Sequence, residues 1–352
     1  MEKIRVLVVD DSLVVRRVVT EELAAQADME VVGQAANGRI ALEKAAELQP
    51  DLVILDIEMP EMDGLTALSQ LHERHPKTPV IMFSSHTELG AAATLEALSR
   101  GASDFFAKPG GAGGVEASRQ IIRSELVPAI RALRPRKASV RAELAPTKHP
   151  ALRPIAPASR IDLVAIGAST GGPNALAELF AALPADFPVP LLVVQHMPPM
   201  FTQMLAERLT KNSKIKTVEA KTGMELEPGK AWIAPGDHHL VVVRDAARAR
   251  TKVHQEPPEN ACRPAVDPLL RSVAGVFGSN CLAVILTGMG QDGLRGCEAI
   301  RAAGGQILAQ DEATSVVWGM PGYVVRAGLA DKVLPLPLLA GEMLRRVRIS
   351  RD

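Results

Sequence analysis

The stretch 165-AIGASTGGPNAL-176 holds the end of an apolar run, a turn from Gly167 to Gly172, and Pro173 at the start of a helical segment. Proline suits a first helical turn, because the N–H it lacks would have no partner there. An apolar strand delivered through a glycine-rich turn into a helix is the repeating unit of a parallel α/β sheet. The same unit recurs on both sides of this stretch. Residues 161 to about 348 alternate the strand candidates "DLVAIGAS", "PLLVVQHM", "KAWIAPG", "HHLVVV", "CLAVILTG" and "GQILAQD" with helical segments. Residues 1 to about 130 do so with "IRVLVV", "MEVVGQ", "DLVILD", "PVIMFS" and "DFFAKP", separated by helical stretches such as "SLVVRRVVTEELAAQ" and "GRIALEKAAEL".

Between the two series, "RPRKASVRAELAPTKHPALRPIAPASR" (134–160) is rich in Pro, Ala and basic residues and carries no sustained period, which reads as a linker. As a coil, about 27 residues reach roughly 30 Å. The expected architecture is therefore α/β, with two doubly wound parallel-sheet domains joined by a linker. A flavodoxin-like domain takes 1–130, the linker 131–160, and a Rossmann-like domain 161–352. A chain of 352 residues is long enough for two such cores.

Forty basic and forty acidic residues cancel, so no global field points to nucleic acid or an anionic membrane, and 3 % aromatics offer little surface for stacking bases. Three cysteines, Cys262, Cys281 and Cys297, with no CxxC pair, suggest reduced, buried thiols of a cytosolic protein. The opening "MEKIRVLVVDDS" has an apolar run too short for a signal peptide, broken by two aspartates. No apolar stretch approaches the roughly 20 residues of a membrane span. A cytoplasmic protein that neither binds nucleic acid nor inserts into a membrane is expected.

In the first domain, Asp10 and Asp11 end the first strand, Asp56 ends "DLVIL", Ser84 follows "VIMF" and Lys108 follows "FFA". Ends of parallel strands share one crevice, so these residues should gather there. Three carboxylates converging would repel one another unless a hard cation neutralised them, and Mg²⁺ takes oxygen ligands. Asp56 could then attack a phosphoryl group and become an acyl phosphate, with Lys108 balancing charge and Ser84 bonding a phosphoryl oxygen. The blander account is that "DD" caps the first helix and Lys108 is a solvated charge. "VLVVDDS", "DLVILDIEMPEMDG", "MFSS" and "AKP" resemble the receiver domain of two-component response regulators over residues 3 to about 125. That resemblance implies Asp56 as phosphoacceptor, Asp10 and Asp11 as helpers in holding Mg²⁺, and Ser84 and Lys108 as switch residues. The "GGAGG" at 110–114 is longer than a minimal receiver needs and suggests only flexibility.

In the second domain, Gly167, Ser169 and Gly171 satisfy G-x-S-x-G, which can mark a strained nucleophile turn but more often marks a turn with a helix-capping Ser or Thr. An acid and histidine in the order of an α/β-hydrolase would have to be Asp237 with His238 or His239, in "APGDHHL", which reads better as a turn. The turn lacks the Lys-Ser/Thr of a phosphate loop. Gly288, Gly290 and Gly293 form G-x-G-x-x-G, with Asp311 and Glu312 downstream. Yet that fingerprint belongs on a domain's first strand, and Asp292 would set a negative charge against a pyrophosphate. Asp292 has a better use. Ser169, His196 and Asp292 each follow a buried strand, so one sheet edge could bring an alcohol, a base and an acid together. His196 would take the Ser169 proton, Asp292 would hold the imidazole, and glycine-rich turns would offer N–H groups to an oxyanion.

"GASTGGP", "QHMPPMFT", "APGDHHL", "CRPAVDPL", "LTGMGQDG" and "QDEATSVVWGMP" resemble, in this order, the catalytic domain of the chemotaxis protein-glutamate methylesterases. The resemblance implies a Ser169–His196–Asp292 triad, Thr170 and Met289 as active-site neighbours, and Met289 as a backbone donor to the oxyanion. It also implies hydrolysis of glutamate methyl esters and deamidation of glutamines on the cytoplasmic domains of chemoreceptors, with a histidine kinase as phosphodonor and no cofactor for the ester chemistry. Unphosphorylated, the receiver is expected to cover the triad face. Two rival expectations are a DNA-binding response regulator, which lacks a basic recognition helix here, and a nucleotide-dependent oxidoreductase using the three glycines.

Overall fold

The computed structural model describes residues 3–84, 87–108, 114–134, 160–245 and 248–349. The chain divides into two units, Met1–Ala142 and Glu143–Asp352. Most of the linker expected at 131–160, and Gly110 to Gly113 of the glycine-rich stretch, lie outside the described residues.

In the first unit, β1 (Ile4–Val9), β2 (Met29–Ala35), β3 (Leu52–Asp56), β4 (Val80–Ser84) and β5 (Asp104–Ala107) form one sheet in the order β2-β1-β3-β4-β5. Every pair is parallel. All residues of β3 and β4 are buried, as expected where helices cover both faces. Four of those helices start on a side-chain cap: Ser12, Asn37, Asp63 and Thr87 each accept from a backbone N–H three residues on. Removing such a cap typically costs about 1 kcal/mol. Strands β2 and β3 leave β1 on opposite sides, which opens a crevice at the carboxyl ends of β1 and β3.

The second unit contains β6 (Leu163–Ala168), β7 (Leu191–Gln195), β8 (Lys216–Glu219), β9 (Lys230–Ile233), β10 (His239–Asp245), β11 (Arg248–His254), β12 (Cys281–Ile285), β13 (Gln306–Gln310) and β14 (Lys332–Leu334). Seven of these form a sheet in the order β14-β13-β12-β6-β7-β9-β8, with every pair parallel. Strand β6 sits at the reversal, β7 on one side and β12 on the other. Its central face packs on the helix Val266–Phe277, whose Val266, Leu269, Leu270 and Val273 join Leu163 and Ala165 in one core cluster. Gly167 is needed there, because a Cβ would lie 2.6 Å from Val266.

Two details depart from the sequence-based expectation. "HHLVVV" does not join the parallel sheet: β10 pairs antiparallel with β11, His239 opposite His254, as a separate ribbon. Strands β8 and β14 were not anticipated either. Each is three or four residues long and lies on a sheet edge, too short for an alternation to declare itself.

Candidate functional site

At the carboxyl edge of the first sheet, Asp10 and Asp56 are 2 % and 1 % exposed, and Asp11 is exposed. One oxygen from each of the three carboxylates lies within 4.8 Å of the others. A set of hard oxygen donors this close suits a small divalent cation. Lys108 Nζ lies 2.9 Å from Asp10 Oδ2 and 2.6 Å from Asp56 Oδ2. Burial raises the Asp56 carboxyl to about 6, with Asp10 adding to the rise and Lys108 opposing it. Asp10 is raised for the same first reason. The cap of the first helix is Ser12, which leaves both aspartates of "DD" free of that duty, and Ser12 N–H donates to Asp10 Oδ1 at 2.8 Å. Ser84, at the end of β4, is buried and donates to the Gly90 carbonyl at 3.0 Å, while its own carbonyl accepts from Lys108 N–H.

In the second unit, Ser169 follows β6, His196 follows β7 and Asp292 follows β12, so all three belong to one sheet edge around the reversal. His196 N–H donates to the Ala168 carbonyl at 3.2 Å, which sets the histidine beside the serine turn. The helix after that turn is capped by Gly171 at φ 76, with no side-chain bond, so neither Ser169 nor Thr170 serves as its cap. The loop after β12 presses on the same turn. A Cβ at Gly288 would lie 2.8 Å from Ser169 Cβ, and Gly288 is tied on both sides, its N–H to Val317 and its carbonyl to Gly319 and Met320. Met289 follows it directly, half-buried. Thr170 is buried, and its carbonyl accepts from Thr287 Oγ1 at 2.9 Å.

His196 Nε2 lies 2.8 Å from Asp292 Oδ2. Asp292 is 2 % exposed and accepts four more bonds: from Val266 N–H (2.6 Å), Asp267 N–H (3.1 Å), Gly293 N–H (2.9 Å) and Asn260 Nδ2 (2.9 Å). Burial works against its charge, yet these donors and His196 hold the carboxyl below the usual range. An ionised carboxylate only accepts, so Nε2 carries the proton and Nδ1 is the basic nitrogen. Nδ1 meets Cys262 Sγ at 3.5 Å. Burial opposes an imidazolium here, but Cys262 and Asp292 outweigh it and raise the affinity of His196 for a proton well above that of an ordinary histidine.

The rival pairings of the sequence are engaged elsewhere. Asp237 is bound by Arg263 (2.6 Å), and the His239 ring sits between the Pro257 carbonyl and Ala265 N–H. Asp292 itself takes the Gly293 N–H of the G-x-G-x-x-G loop that a pyrophosphate would need. One expectation is corrected: Cys281 and Cys297 are buried, but Cys262 is only partly so and faces His196. Sequence reasoning also passed over Asn260 and Asp267. The run "NACRPAVD" holds both residues, but nothing in its periodicity places them against Asp292, 32 and 25 residues further on.

Residues 164–343 match the family model for CheB methylesterase, and residues 6–118 match that for the response regulator receiver domain. A protein-glutamate methylesterase/protein-glutamine glutaminase of Trichodesmium erythraeum (strain IMS101) is 50 % identical over 351 residues, 99 % of this chain and 100 % of that one. One of the same description from Nocardioides sp. (strain ATCC BAA-499 / JS614) is 50 % identical over 364 residues, 100 % of this chain and 97 % of that one. Among solved structures, the Thermotoga maritima CheB methylesterase catalytic domain aligns with a TM-score of 0.52 and 42 % identity, over 53 % of this chain and 98 % of that one.

Proposed function

This chain belongs to the CheB methylesterase family, and on that footing we propose that it is a phosphorylation-controlled serine hydrolase with a Ser169–His196–Asp292 triad. Its reaction removes the methyl group from glutamate γ-methyl esters of chemoreceptor cytoplasmic domains and the amide from their glutamines, in chemotaxis adaptation. The observation that carries the reading is the 2.8 Å bond between His196 and Asp292 at the strand edge that also delivers Ser169.

Ser169 Oγ attacks the γ-carbonyl carbon and passes its proton to His196 Nδ1. In the resting arrangement that nitrogen faces Cys262 Sγ, so it exchanges the thiol for the serine hydroxyl as the substrate arrives. Asp292 keeps the imidazole in the Nε2–H tautomer and offsets its charge. The tetrahedral oxyanion accepts from the backbone N–H of Met289, the residue after Gly288, whose own backbone is anchored beside the Ser169 turn. The imidazolium returns its proton to the departing methoxide, and methanol leaves a glutamyl ester on Ser169. Water, deprotonated by His196, then releases the glutamate and restores the serine. With a glutamine substrate the leaving group is ammonia and the remaining steps are the same.

Control rests on the first unit. A receiver domain is present, and such domains typically bind Mg²⁺ for phosphorylation. Asp10, Asp11 and Asp56 are the residues that would hold the ion, whose charge would offset that of an incoming phosphoryl group. Asp56 accepts the phosphoryl group of a histidine kinase, and Lys108 pairs with the new charge. Ser84 then gives up the Gly90 carbonyl for a phosphoryl oxygen, which alters the contact between β4 and the helix Glu88–Ser99.

Two substitutions test the proposal through methanol release from methylated receptor. Ser169→Ala should cost several orders of magnitude, leaving roughly 10³–10⁴-fold over water. Asp56→Asn should abolish stimulation by a phosphodonor. A Ser169→Ala rate near wild type removes the nucleophile, and equal stimulation of Asp56→Asn removes the switch.

A further inference from the structure

Asp292 is not the only carboxylate beneath the histidine. Asp267, in the first turn of the helix Val266–Phe277, is 1 % exposed and accepts Gly296 N–H at 2.7 Å through Oδ1. A single amide stands between the two acids: Asn260 Nδ2 donates to Asp267 Oδ2 and to Asp292 Oδ1, each at 2.9 Å. Resting on the triad proposed above, we infer that Asn260 is a positioning residue for the reaction, whose amide keeps Asp267 from sharing a proton with Asp292 and so preserves Asp292 as the acceptor of His196 Nε2–H.

Two carboxylates sharing one buried site do not both ionise readily, and the usual outcome is one proton held between them. A proton shared in this way occupies Asp292 Oδ1 and draws charge from Oδ2, the oxygen that His196 uses. The primary amide prevents this because it supplies two N–H donors and no charge, one to each acid. The two acids are then free to differ. Burial and the neighbouring Asp292 raise Asp267, whereas His196 and backbone donors lower Asp292 against its burial. The other charge bearing on the two acids is the Arg271 guanidinium, on the helix that carries Asp267.

Local backbone geometry supports a dedicated role. Asn260 and Ala261 have φ of 52° and 61°, the two central positions of a tight turn closed by Glu259 N–H to Cys262 O (3.1 Å) and Cys262 N–H to Glu259 O (2.8 Å). Arg271 Nη1 anchors the turn by donating to Glu259 Oε2 at 2.9 Å. Asparagine adopts this left-handed conformation readily and alanine does not, so the surroundings impose it. The same turn places Asn260 on the acid and Cys262 on the base. Asn260 is exposed on its other side and is not a core residue.

The test uses the full chain, with kcat and KM measured separately on methylated receptor and the His196 Nε2–H proton followed by NMR. Asn260→Ala is expected to lower kcat at least tenfold with KM within twofold, and to move the Nε2–H resonance upfield. Asn260→Asp, which keeps the shape but adds a third carboxylate, should fall at least as far. Adding Asp267→Asn to Asn260→Ala removes the competing acid and should recover much of kcat, a rescue that a merely structural role would not give. Wild-type kcat and an unmoved resonance in Asn260→Ala or Asn260→Asp overturn the inference, as does failure of the double variant to recover. Ser169→Ala, run alongside, separates the two readings: activity retained there defeats the triad, whereas activity lost there but kept in the Asn260 variants defeats only the role of Asn260.

Discussion

The imidazole of His196 stands between two partners on opposite ring edges, Asp292 Oδ2 at 2.8 Å from Nε2 and Cys262 Sγ at 3.5 Å from Nδ1. Cys262 thus holds the nitrogen that the mechanism assigns to Ser169, so the resting and attacking arrangements differ by one exchange of partner.

The thiols should therefore react selectively. Burial pushes Cys281 up to about 12 and Cys297 well above its ordinary value and shuts both off from reagent, whereas Cys262 is partly exposed. Brief treatment with iodoacetamide is expected to alkylate Cys262 first, with esterase activity falling in step as the adduct crowds Nδ1. Peptide mass spectrometry checks the order. Labelling of Cys281 ahead of Cys262 would run against this account.

The pH dependence follows from the same contacts. Cys262 and Asp292 raise the proton affinity of His196 against the effect of burial. General-base catalysis needs the neutral ring, so kcat/KM should climb with pH through a midpoint above the ordinary value of about 6.5. Asp292→Asn removes the charge that favours the imidazolium, and should lower the midpoint while reducing kcat by roughly 10⁴-fold. A midpoint at or below the ordinary value in wild type would show that these contacts do not act as described.

Gly288 is where the loop after β12 touches the Ser169 turn. An added methyl group would lie 2.8 Å from Ser169 Cβ and would also meet Met320 Sδ. The Met320 thioether can swing aside, whereas the Ser169 Cβ is fixed to its backbone, so the strain falls where Gly288 and the Ser169 turn meet. Gly288→Ala should cut kcat by about 10²-fold, the scale of a misplacement near 1 Å, with little change in KM. Steady-state kinetics decide it, and a wild-type kcat would mean that the loop yields instead.

In the first unit, Lys108 is the cation facing two buried carboxylates. Lys108→Met leaves them uncompensated, and urea unfolding should show a loss of about 3 kcal/mol, the scale for breaking a buried pair from one side. Saturating Mg²⁺, binding the folded carboxylates, should recover part of that loss. Equal stability of variant and wild type with and without Mg²⁺ would argue against a cation site at Asp10, Asp11 and Asp56.

Both parallel sheets were legible because their central strands are buried on each face and read as unbroken apolar runs, "DLVIL" and "LVAIGA" among them. Residues placed just beyond such runs, Asp56, Ser169 and His196, could be assigned to a shared edge from strand direction alone. Asp292 was within reach by the same rule, seven residues past β12. The supporting residues were not. Asn260 and Cys262 arrive on a turn whose position depends on Arg271 holding Glu259, and Asp267 sits on a helix whose apolar face gives no hint of a buried acid. Such contacts are set by packing between distant segments rather than by local pattern. The ribbon of β10 and β11 was misassigned for a related reason, since "HHLVVV" carries the composition of a sheet strand while its partner "RARTKVH" is half-exposed and polar.

In the proposed reaction the acyl group is carried by Ser169 and not by the neighbouring thiol. Acid-quenching the enzyme during turnover of a glutamyl methyl ester, followed by peptide mapping, distinguishes the two. A glutamyl adduct is expected on the peptide containing Ser169 and should be lost in Ser169→Ala; an adduct on Cys262 in its place would rule out Ser169 as the nucleophile.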